Sequence, residues 1–311
     1  MRILISGSRG FIGNFLCNQL LQAGHEIVKA VHNNPSEGDI LISYDDHCLY
    51  RNTGQGVWNE KGLGIEKGFD VVINLAGEPI TASRWDAHKK ANLYNSRIDT
   101  TKLLGNAFTQ SGLWPKVFLS GSAVGYYGSR QDEILTEKSA KGSGFLSDLC
   151  AKWEETALSY QSSATRVVLL RTGIVLGKEG GLLKSVLPMF KNGVAGKLGS
   201  GQQWTSWISL VDVARAVMFL IDRDDIEGPV NVAGPEPVRN VDLTHTLAEL
   251  VKKPAHLHMP QLALELAVGK VTAAEFVLAS QRALPNVLLE AGFDFSYQNA
   301  KEALANAIET S

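Results

Sequence analysis

The chain has few cysteines, no cluster of basic residues and no apolar run long enough to span a bilayer. Its three cysteines, Cys17, Cys48 and Cys150, lie far apart, so we expect neither a disulfide framework nor a zinc or other metal site. Thirty basic and 32 acidic residues, without a Lys/Arg cluster, give no basis for binding nucleic acid or an anionic membrane. Glycines interrupt the apolar N-terminus, which argues against a signal peptide, and these features together predict a cytoplasmic protein.

A glycine-rich turn lies close to the start of the chain. The apolar residues 2–5 predict a buried strand, and Gly7, Gly10 and Gly13 then open a segment with one apolar helical face. This spacing allows a tight turn, close approach of backbone to a pyrophosphate, and close packing of helix on strand. We therefore predict a dinucleotide site, with an ordinary strand-to-helix turn as the alternative. The apolar helical face is formed by Phe11, Ile12, Phe15, Leu16 and Leu20.

The residues after the second predicted strand bear on the choice of cofactor. An acid at the end of that strand would bind a ribose 2′-hydroxyl and repel a 2′-phosphate. Here residues 26–31 are followed by His32 and Asn33, and no acid occurs before Glu37. Arg9, inside the glycine-rich turn, could pair with a 2′-phosphate, or it is a solvated surface arginine. We predict NADP(H) in preference to NAD(H), with Arg9 and Asn33 in the site and His32 either near the adenine or exposed.

Strand and helix patterns alternate through the first two thirds of the chain. Strands are predicted at residues 71–75, 117–119 and 167–170, and helices at 85–108, 144–160 and 212–221. Residues 33–69 predict loops with a short strand near Val57 and Trp58, and the glycines at 193, 196, 199 and 201 predict a long flexible loop. This alternation predicts an α/β fold with a doubly wound parallel sheet that binds its ligand outside the carboxyl ends of the strands.

The last third of the chain has a different composition. Five of the ten prolines occur from residue 235 onward, among segments with helical patterns. We therefore predict a large domain at residues 1–234 and a small, mainly helical C-terminal domain at residues 235–311, both on the scale that one chain of 311 residues can support. A cleft loop at residues 178–207 is expected to contribute to the substrate side.

Longer motifs run along the whole chain. They are Gly10-Phe11-Ile12-Gly13, Asn74-Leu75-Ala76-Gly77-Glu78-Pro79-Ile80, Ser96-Arg97-Ile98-Asp99-Thr100-Thr101, Ser122-Ala123-Val124-Gly125-Tyr126-Tyr127-Gly128, Trp153-Glu154, Leu170-Arg171-Thr172-Gly173-Ile174-Val175-Leu176-Gly177 and Ala291-Gly292-Phe293. With these motifs, the chain resembles the extended short-chain dehydrogenases/reductases of the NAD-dependent epimerase/dehydratase superfamily, and within them the subfamily named epimerase family proteins.

The resemblance implies a Rossmann-like domain that binds NADP(H), with a smaller C-terminal domain over the cleft. It implies that residues 74–77 and 120–122 line the cofactor at the strand ends. Two carboxylates have two interpretations each: Glu78 contacts a cofactor ribose or is a loop residue, and Glu154 contacts a ribose or faces solvent. The cofactor contacts expected from these motifs are Leu75, Ala76, Gly77, Glu78, Ser120, Gly121, Glu154 and Thr172.

One departure from the superfamily concerns catalysis. In the superfamily, a tyrosine and a lysine four residues later share one face of the helix after the fifth strand, where the lysine lowers the pKa of the tyrosine. Residues 144–160 contain no such pair, and the Tyr-x-x-x-Lys of this chain, Tyr297 to Lys301, lies far from that strand in sequence. We interpret this C-terminal pair as unrelated to the site.

Hydroxyl side chains at the end of the fifth strand are the candidates to replace the missing pair. Ser122 matches the superfamily's Ser/Thr position, and Tyr126 and Tyr127 follow it; packing is the alternative role for the two tyrosines. Arg97 could hold an anionic substrate group or form a salt bridge on a helix surface, and Arg171 could contact an anion.

Two classes of function remain open at this stage. One is an NADP-dependent epimerase or reductase that acts on a hydroxyl or carbonyl carbon of a small substrate, for example an anionic one such as a nucleotide sugar. The other is a catalytically degenerate NADP(H)-binding protein that senses redox state or scaffolds a partner. The missing Tyr–Lys pair favours the second, whereas Ser122, Tyr126, Tyr127 and the loop at 193–207 favour the enzyme.

Overall fold

The computed structural model describes residues 1–44, 48–52, 67–80 and 83–309, and the predicted strand near Val57 and Trp58 lies outside them. The strands in these ranges are β1 (Arg2–Ser6), β2 (Glu26–Val31), β3 (Ile40–Ser43), β4 (Cys48–Arg51), β5 (Val71–Asn74), β6 (Val117–Ala123), β7 (Ile134–Leu135), β8 (Arg166–Thr172), β9 (Ile174–Leu176), β10 (Gly196–Leu198), β11 (Trp204–Thr205), β12 (Trp207–Ser209), β13 (Gly228–Val232), β14 (Val238–Arg239), β15 (Leu257–Met259) and β16 (Arg282–Ala283).

The helices in the same ranges are α1 (Phe11–Gln22), α2 (Ala87–Ser111), α3 (Phe145–Leu158), α4 (Gly181–Lys191), α5 (Leu210–Ile221), α6 (Asn240–Leu250), α7 (Gln261–Val268), α8 (Lys270–Thr272), α9 (Asn286–Glu290) and α10 (Ala300–Glu309). A 3₁₀ turn occupies Val124–Tyr127, and a π-helical turn occupies Ala273–Val277. No helix in the described part of the chain is long and apolar enough to cross a membrane.

Eight strands form one sheet in the order β13-β8-β6-β5-β1-β2-β3-β4. Every neighbouring pair is parallel except β3 and β4, which are antiparallel. The order reverses at β1, which pairs with β2 on one side and β5 on the other, and ligands of doubly wound sheets bind at this reversal. The predicted Rossmann-like α/β fold is therefore confirmed.

Both faces of the sheet are covered, which explains why its strands are apolar without alternation. In β1, Ile3 and Ile5 belong to a core that contains α1 and α5, whereas Leu4 belongs to the core on the opposite face with α2. The first core also takes in Phe293 and Phe295 from the C-terminal region. That region is mainly helical, as predicted, and its α6 and α10 pack with α4 around Trp207.

Several sequence-based expectations differ from the structure. Residues 40–43 and 48–51 form strands where loops were expected, because they extend the sheet beyond β2. The predicted flexible loop contains β10, whose partner β15 lies about 60 residues further along the chain. The predicted cleft loop at residues 178–207 also contains α4 and β11 and ends at the first residue of β12, and strands β9 and β13 were not predicted.

Candidate cofactor and substrate site

The glycine-rich turn packs backbone against backbone. Gly7 has a φ of +71°, and a Cβ on it would lie 2.5 Å from the carbonyl oxygen of Leu75, at the end of β5. A Cβ on Gly13 would lie 2.2 Å from the carbonyl oxygen of Gly7. Since real Cβ atoms do not approach so closely, both positions require glycine, and the turn holds the start of α1 against the ends of β1 and β5.

The N-terminus of α1 has no acceptor of its own. The N-cap residue, Gly10, provides no side-chain hydrogen bond, and the first turn contains no acidic residue. The hydroxyl of Ser8 is fully enclosed and has no hydrogen-bond partner in the described residues. Unpaired N–H groups, the positive end of the helix dipole and an unpartnered buried hydroxyl together suit a phosphate.

Arg9 lies at the carboxyl end of β2. Its Nη1 donates to the carbonyl oxygen of Asn33 at 2.7 Å, its Nη2 donates to the carbonyl oxygen of Asn34, and Nη2 is 3.8 Å from Asp39. The Arg9 side chain is 44% exposed, and His32 is exposed beside it. The guanidinium is thus held at the strand end where a dinucleotide presents its adenosine ribose.

A buried polar network fixes the end of β5. Ser6 Oγ donates to Asn74 Oδ1 at 2.6 Å, Asn74 Nδ2 donates to Thr101 Oγ1 at 2.9 Å, and Trp153 Nε1 donates to the same hydroxyl at 3.0 Å. The network joins β1, β5, α2 and α3. The backbone N–H of Ala76 donates to Asn74 Oδ1, which orients the following residues, including Leu75 and Gly77.

The two carboxylates with cofactor predictions are both ion-paired. Glu78 Oε1 accepts from Lys89 Nζ at 2.7 Å, and its side chain is 41% exposed. Glu154 is 5% exposed and forms a bidentate pair with Arg171, with both N···O distances 2.8 Å. The solvent-facing interpretation therefore does not describe Glu154, which lies in the interior.

Ser122 is joined to this buried pair. Its Oγ donates to Glu154 Oε1 at 2.6 Å. Burial alone would lower the pKa of Arg171, but the Glu154 carboxylate more than offsets this and raises it. Arg171 and Ser122 both donate to Glu154, so the Ser122 proton is committed to that carboxylate.

The two tyrosines after β6 have different surroundings. Tyr127 is fully buried; its hydroxyl donates to Asn231 Oδ1 at 2.7 Å and accepts from Arg171 Nη1 at 3.0 Å. Burial raises the pKa of Tyr127 to about 12, against the opposing effects of Arg171 and Asn231. Tyr126 is half-buried, and the Arg171 guanidinium lies 3.6 Å from its ring centroid.

Three further residues predicted to contact the cofactor, Ser120, Gly121 and Thr172, contact neighbouring protein groups. Ser120 is fully buried, and its hydroxyl faces the carbonyl of Gly121 at 3.4 Å. A Cβ on Gly121 would lie 2.6 Å from the indole ring of Trp153. The hydroxyl of Thr172 donates to the carbonyl of Leu170 at 3.2 Å, and its side chain is half-buried.

Family models match two parts of the chain. The model described as the NAD dependent epimerase/dehydratase family matches residues 3–233, and a second, described as a domain of unknown function (DUF1731), matches residues 259–307. Epimerase family protein Mb2239 of Mycobacterium bovis is 38% identical over 305 residues, 98% of this chain and 97% of its own. Epimerase family protein SA0724 of Staphylococcus aureus is 36% identical over 307 residues, 98% of each chain.

The chain belongs to the NAD dependent epimerase/dehydratase family.

Solved structures agree with this membership. The human epimerase family protein SDR39U1 (isoform 2), crystallised with NADPH, matches with a TM-score of 0.88 and 29% identity over 100% of both chains. A nucleoside-diphosphate sugar epimerase from Corynebacterium glutamicum matches with a TM-score of 0.77 and 33% identity over 99% of this chain and 58% of its own. MoeE5, in complex with UDP-glucuronic acid and NAD, has a TM-score of 0.73 at 21% identity, which shows the shared fold.

Within this family member, the side of α3 that faces the turn after β6 carries Leu146 and Cys150. A Cβ on Gly125, in the turn after β6, would lie 3.7 Å from both Leu146 Cβ and Cys150 Sγ. Those two residues are four apart on α3 and form the face toward that turn. Burial raises the pKa of Cys150 to about 12, so its thiol stays neutral. The distant Lys301 pairs with Glu249, and Tyr297 packs against the core around Trp207.

The sequence analysis did not identify two residues, Glu137 and Asn231, that contact the groups around Arg171. Glu137 Oε1 accepts from the backbone N–H of Asn231 at 3.0 Å, and the carbonyl of Glu137 accepts from Arg171 Nη1 at 3.3 Å. Asn231 is an amide inside an otherwise apolar strand, and that pattern was a usable signal. Glu137 follows the short strand β7 in a polar segment, where no local pattern distinguishes it.

Proposed function

We propose that this chain is an NADP(H)-binding oxidoreductase of the epimerase/dehydratase type that acts on a hydroxyl or carbonyl carbon of a small molecule. The observation that carries the proposal is the glycine-rich turn with its uncapped helix and the unpartnered buried hydroxyl of Ser8. The turn and the start of α1 would hold the pyrophosphate. Gly7, Gly10, Phe11, Ile12 and Gly13 form this part of the proposed site.

The preference for NADP(H) rests on charge at the end of β2. Arg9 is held there by the carbonyls of Asn33 and Asn34, and no carboxylate directly follows Val31. A guanidinium can bind a 2′-phosphate through two parallel hydrogen bonds. That SDR39U1 was crystallised with NADPH supports the same choice. NAD(H) is the less favoured cofactor.

When bound, the nicotinamide would supply hydride exchange with a substrate carbon. Ser122 and Tyr126 are the residues we propose to contact the reacting oxygen. Because the Ser122 proton is committed to Glu154, Ser122 offers lone pairs to a substrate hydroxyl, and the half-buried Tyr126 offers a phenolic proton. Tyr127 and Glu154 orient these groups through Arg171.

The proposed substrate class is a nucleotide sugar or a related small anion. A nucleoside-diphosphate sugar epimerase is among the similar structures, at 33% identity over 99% of this chain. The guanidinium groups of Arg239 and Arg282 lie 4.5 and 4.4 Å from the ring of Trp204, and we propose that these aromatic and cationic groups contact such a ligand.

A second candidate is a catalytically degenerate sensor or scaffold that binds NADP(H). The apolar face of Leu146 and Cys150 on α3 favours it, because this face carries no group that could lower the pKa of a tyrosine.

Cofactor selection tests the proposal directly. Arg9→Ala should weaken NADPH binding roughly ten- to a hundredfold, the loss of a charge-assisted contact of about 1.5–3 kcal/mol, with NADH binding nearly unchanged. Titration calorimetry of both cofactors measures this, with Arg223→Ala, a surface arginine paired with Asp225, as the control. Equal losses for both cofactors would contradict the assignment of Arg9, and a wild-type protein that binds neither would contradict the proposed function.

A further inference from the structure

Arg97 is a buried arginine in the middle of α2. The residue is 9% exposed, and its Nη1 donates to the backbone carbonyls of Leu93 at 3.0 Å and Glu78 at 3.2 Å. Its guanidinium carbon lies 5.3 Å from the ring centroid of Trp153. The sequence alternative of a surface salt bridge therefore does not apply, since Arg97 faces the interior at the end of β5.

In the described part of the chain, Arg97 has no acid as an ion-pair partner. The neighbouring carboxylate, Glu78, is paired with Lys89 at 2.7 Å, and in the described ranges Arg97 forms no ion pair. Its Nε and Nη2 make no hydrogen bond to the described residues either. Burial lowers the pKa of Arg97, with Cys150 and Glu78 opposing the shift. Buried charges are normally paired, and Arg97 departs from this rule because it has no carboxylate partner among the described residues.

Gly77 packs against the guanidinium. A Cβ on Gly77 would lie 2.9 Å from Arg97 Cζ and 3.1 Å from Nη2, so a side chain at this position would collide with the guanidinium. Gly77 itself is exposed, and it follows β5 at the sheet edge where ligands of doubly wound folds bind. Nη2 of Arg97 therefore lies beside an exposed backbone position at that edge.

We propose that Arg97 is the anion-binding residue of this cleft and that its Nε and Nη2 take a carboxylate or phosphate group of the bound small molecule. The assignment rests on the proposed function for the identity of that molecule. A planar guanidinium binds two oxygens of either group in parallel, and the Trp153 ring on one side excludes water from the pair. The oxygens can come from a phosphate of the cofactor or from an anionic group of the substrate.

Substitution of Arg97 distinguishes these sources. The dissociation constants of NADPH, inorganic phosphate and malonate are measured by calorimetry for wild type, Arg97→Gln, Arg97→Lys and the surface control Arg223→Gln. Phosphate and malonate are titrated into the free and the NADPH-saturated protein at constant ionic strength. We expect Arg97→Gln to weaken anion binding at least tenfold, Arg97→Lys to weaken it less because the charge remains, and Arg223→Gln to have no effect.

Each result decides a separate point. Tenfold weaker NADPH binding in Arg97→Gln assigns the anion to the cofactor, and weaker phosphate or malonate binding at unchanged NADPH affinity assigns it to the substrate. Failure of wild type to bind NADPH contradicts the proposed function, while the anion titrations of the free protein still test Arg97. Unchanged affinity for all three ligands in Arg97→Gln overturns the proposal.

Thermal unfolding separates binding from a structural role. Because an unpaired buried charge destabilises a fold, the ligand-free Arg97→Gln protein should keep or exceed the wild-type melting temperature. A marked fall in that temperature would show that Arg97 supports the fold, and it would overturn the proposal.

Discussion

Ser122, Tyr126 and Tyr127 differ in the protons that they can exchange. A tyrosine that transfers a proton needs a pKa near the working pH, but burial raises the pKa of Tyr127 to about 12, so it stays a neutral donor to Asn231. The Ser122 hydroxyl donates a hydrogen bond to Glu154 Oε1. Tyr126 stays half-buried, with the Arg171 guanidinium 3.6 Å from its ring centroid. Of the three, we therefore expect Tyr126 to donate a proton and Ser122 to accept a hydrogen bond from the substrate hydroxyl, while Tyr127 holds Asn231 and Arg171 in place.

These roles predict how single substitutions of the three residues change turnover. With NADPH oxidation followed against a panel of carbonyl compounds that includes nucleotide sugars, Tyr126→Phe and Ser122→Ala should lower kcat about 10²–10⁴-fold. Tyr127→Phe should instead lower stability by about 1–3 kcal/mol, since it leaves Asn231 and Arg171 with an unpaired group. Tyr297→Phe is the control and should retain full turnover. Full turnover in all three site variants would contradict this site, and tight NADPH binding without any turnover would favour the sensor.

Glu137 connects two elements through one carboxylate oxygen. Its Oε1 accepts from the N–H of Asn231 in β13 at 3.0 Å and of Val287 in α9 at 3.2 Å, while Oε2 is enclosed and has no partner in the described chain. Burial raises the pKa of Glu137 above its ordinary 4.5, although these N–H groups oppose the shift. The folded protein therefore keeps a proton on Glu137 at pH values where the unfolded chain has lost it.

The contribution of Glu137 to stability consequently depends on pH. It is fully present below about pH 4.5, falls as pH rises through the raised pKa, and is level above it. Glu137→Gln removes this titration, so its free energy of unfolding relative to wild type should increase with pH across that window. Urea unfolding at several pH values measures the difference, with the exposed Glu133→Gln as the control. A difference that is constant or decreases with pH would contradict the account.

Elements that depend on local pattern were predictable, whereas those that depend on distant partners were not. The strand, glycine turn and helix at residues 2–22 have their signals within one short segment, and the structure confirms them. Strand β10 forms because Leu257 to Met259 lie beside it, which no local pattern at Gly196 reveals. Arg97 is charged and lies on a long helix, so no local pattern predicts its burial. It is buried because α2 packs against β5 and Trp153.

At the scale of the whole molecule, the C-terminal region completes the main core. Phe293 and Phe295 share one apolar cluster with Ile3, Ile5 and α5, and the two phenylalanine rings lie 4.8 Å apart. Strand β16 pairs with β7, and Asn231 Nδ2 donates to the carbonyl of Leu284 at 2.8 Å. The division at residues 234 and 235 stays a prediction from composition, but these contacts imply that both parts unfold together.

Cooperative unfolding can be tested with one buried and one exposed side chain of the C-terminal region. Phe295 is 5% exposed in the main core, so Phe295→Ala should cost about 3–5 kcal/mol and lower the midpoint of a single transition. Leu266, which is 72% exposed, is the control, and Leu266→Ala should change stability by less than about 0.5 kcal/mol. Circular dichroism and tryptophan fluorescence should give coincident curves for wild type and both variants. Two separate transitions, with only one shifted by Phe295→Ala, would show that the C-terminal region unfolds independently of the sheet.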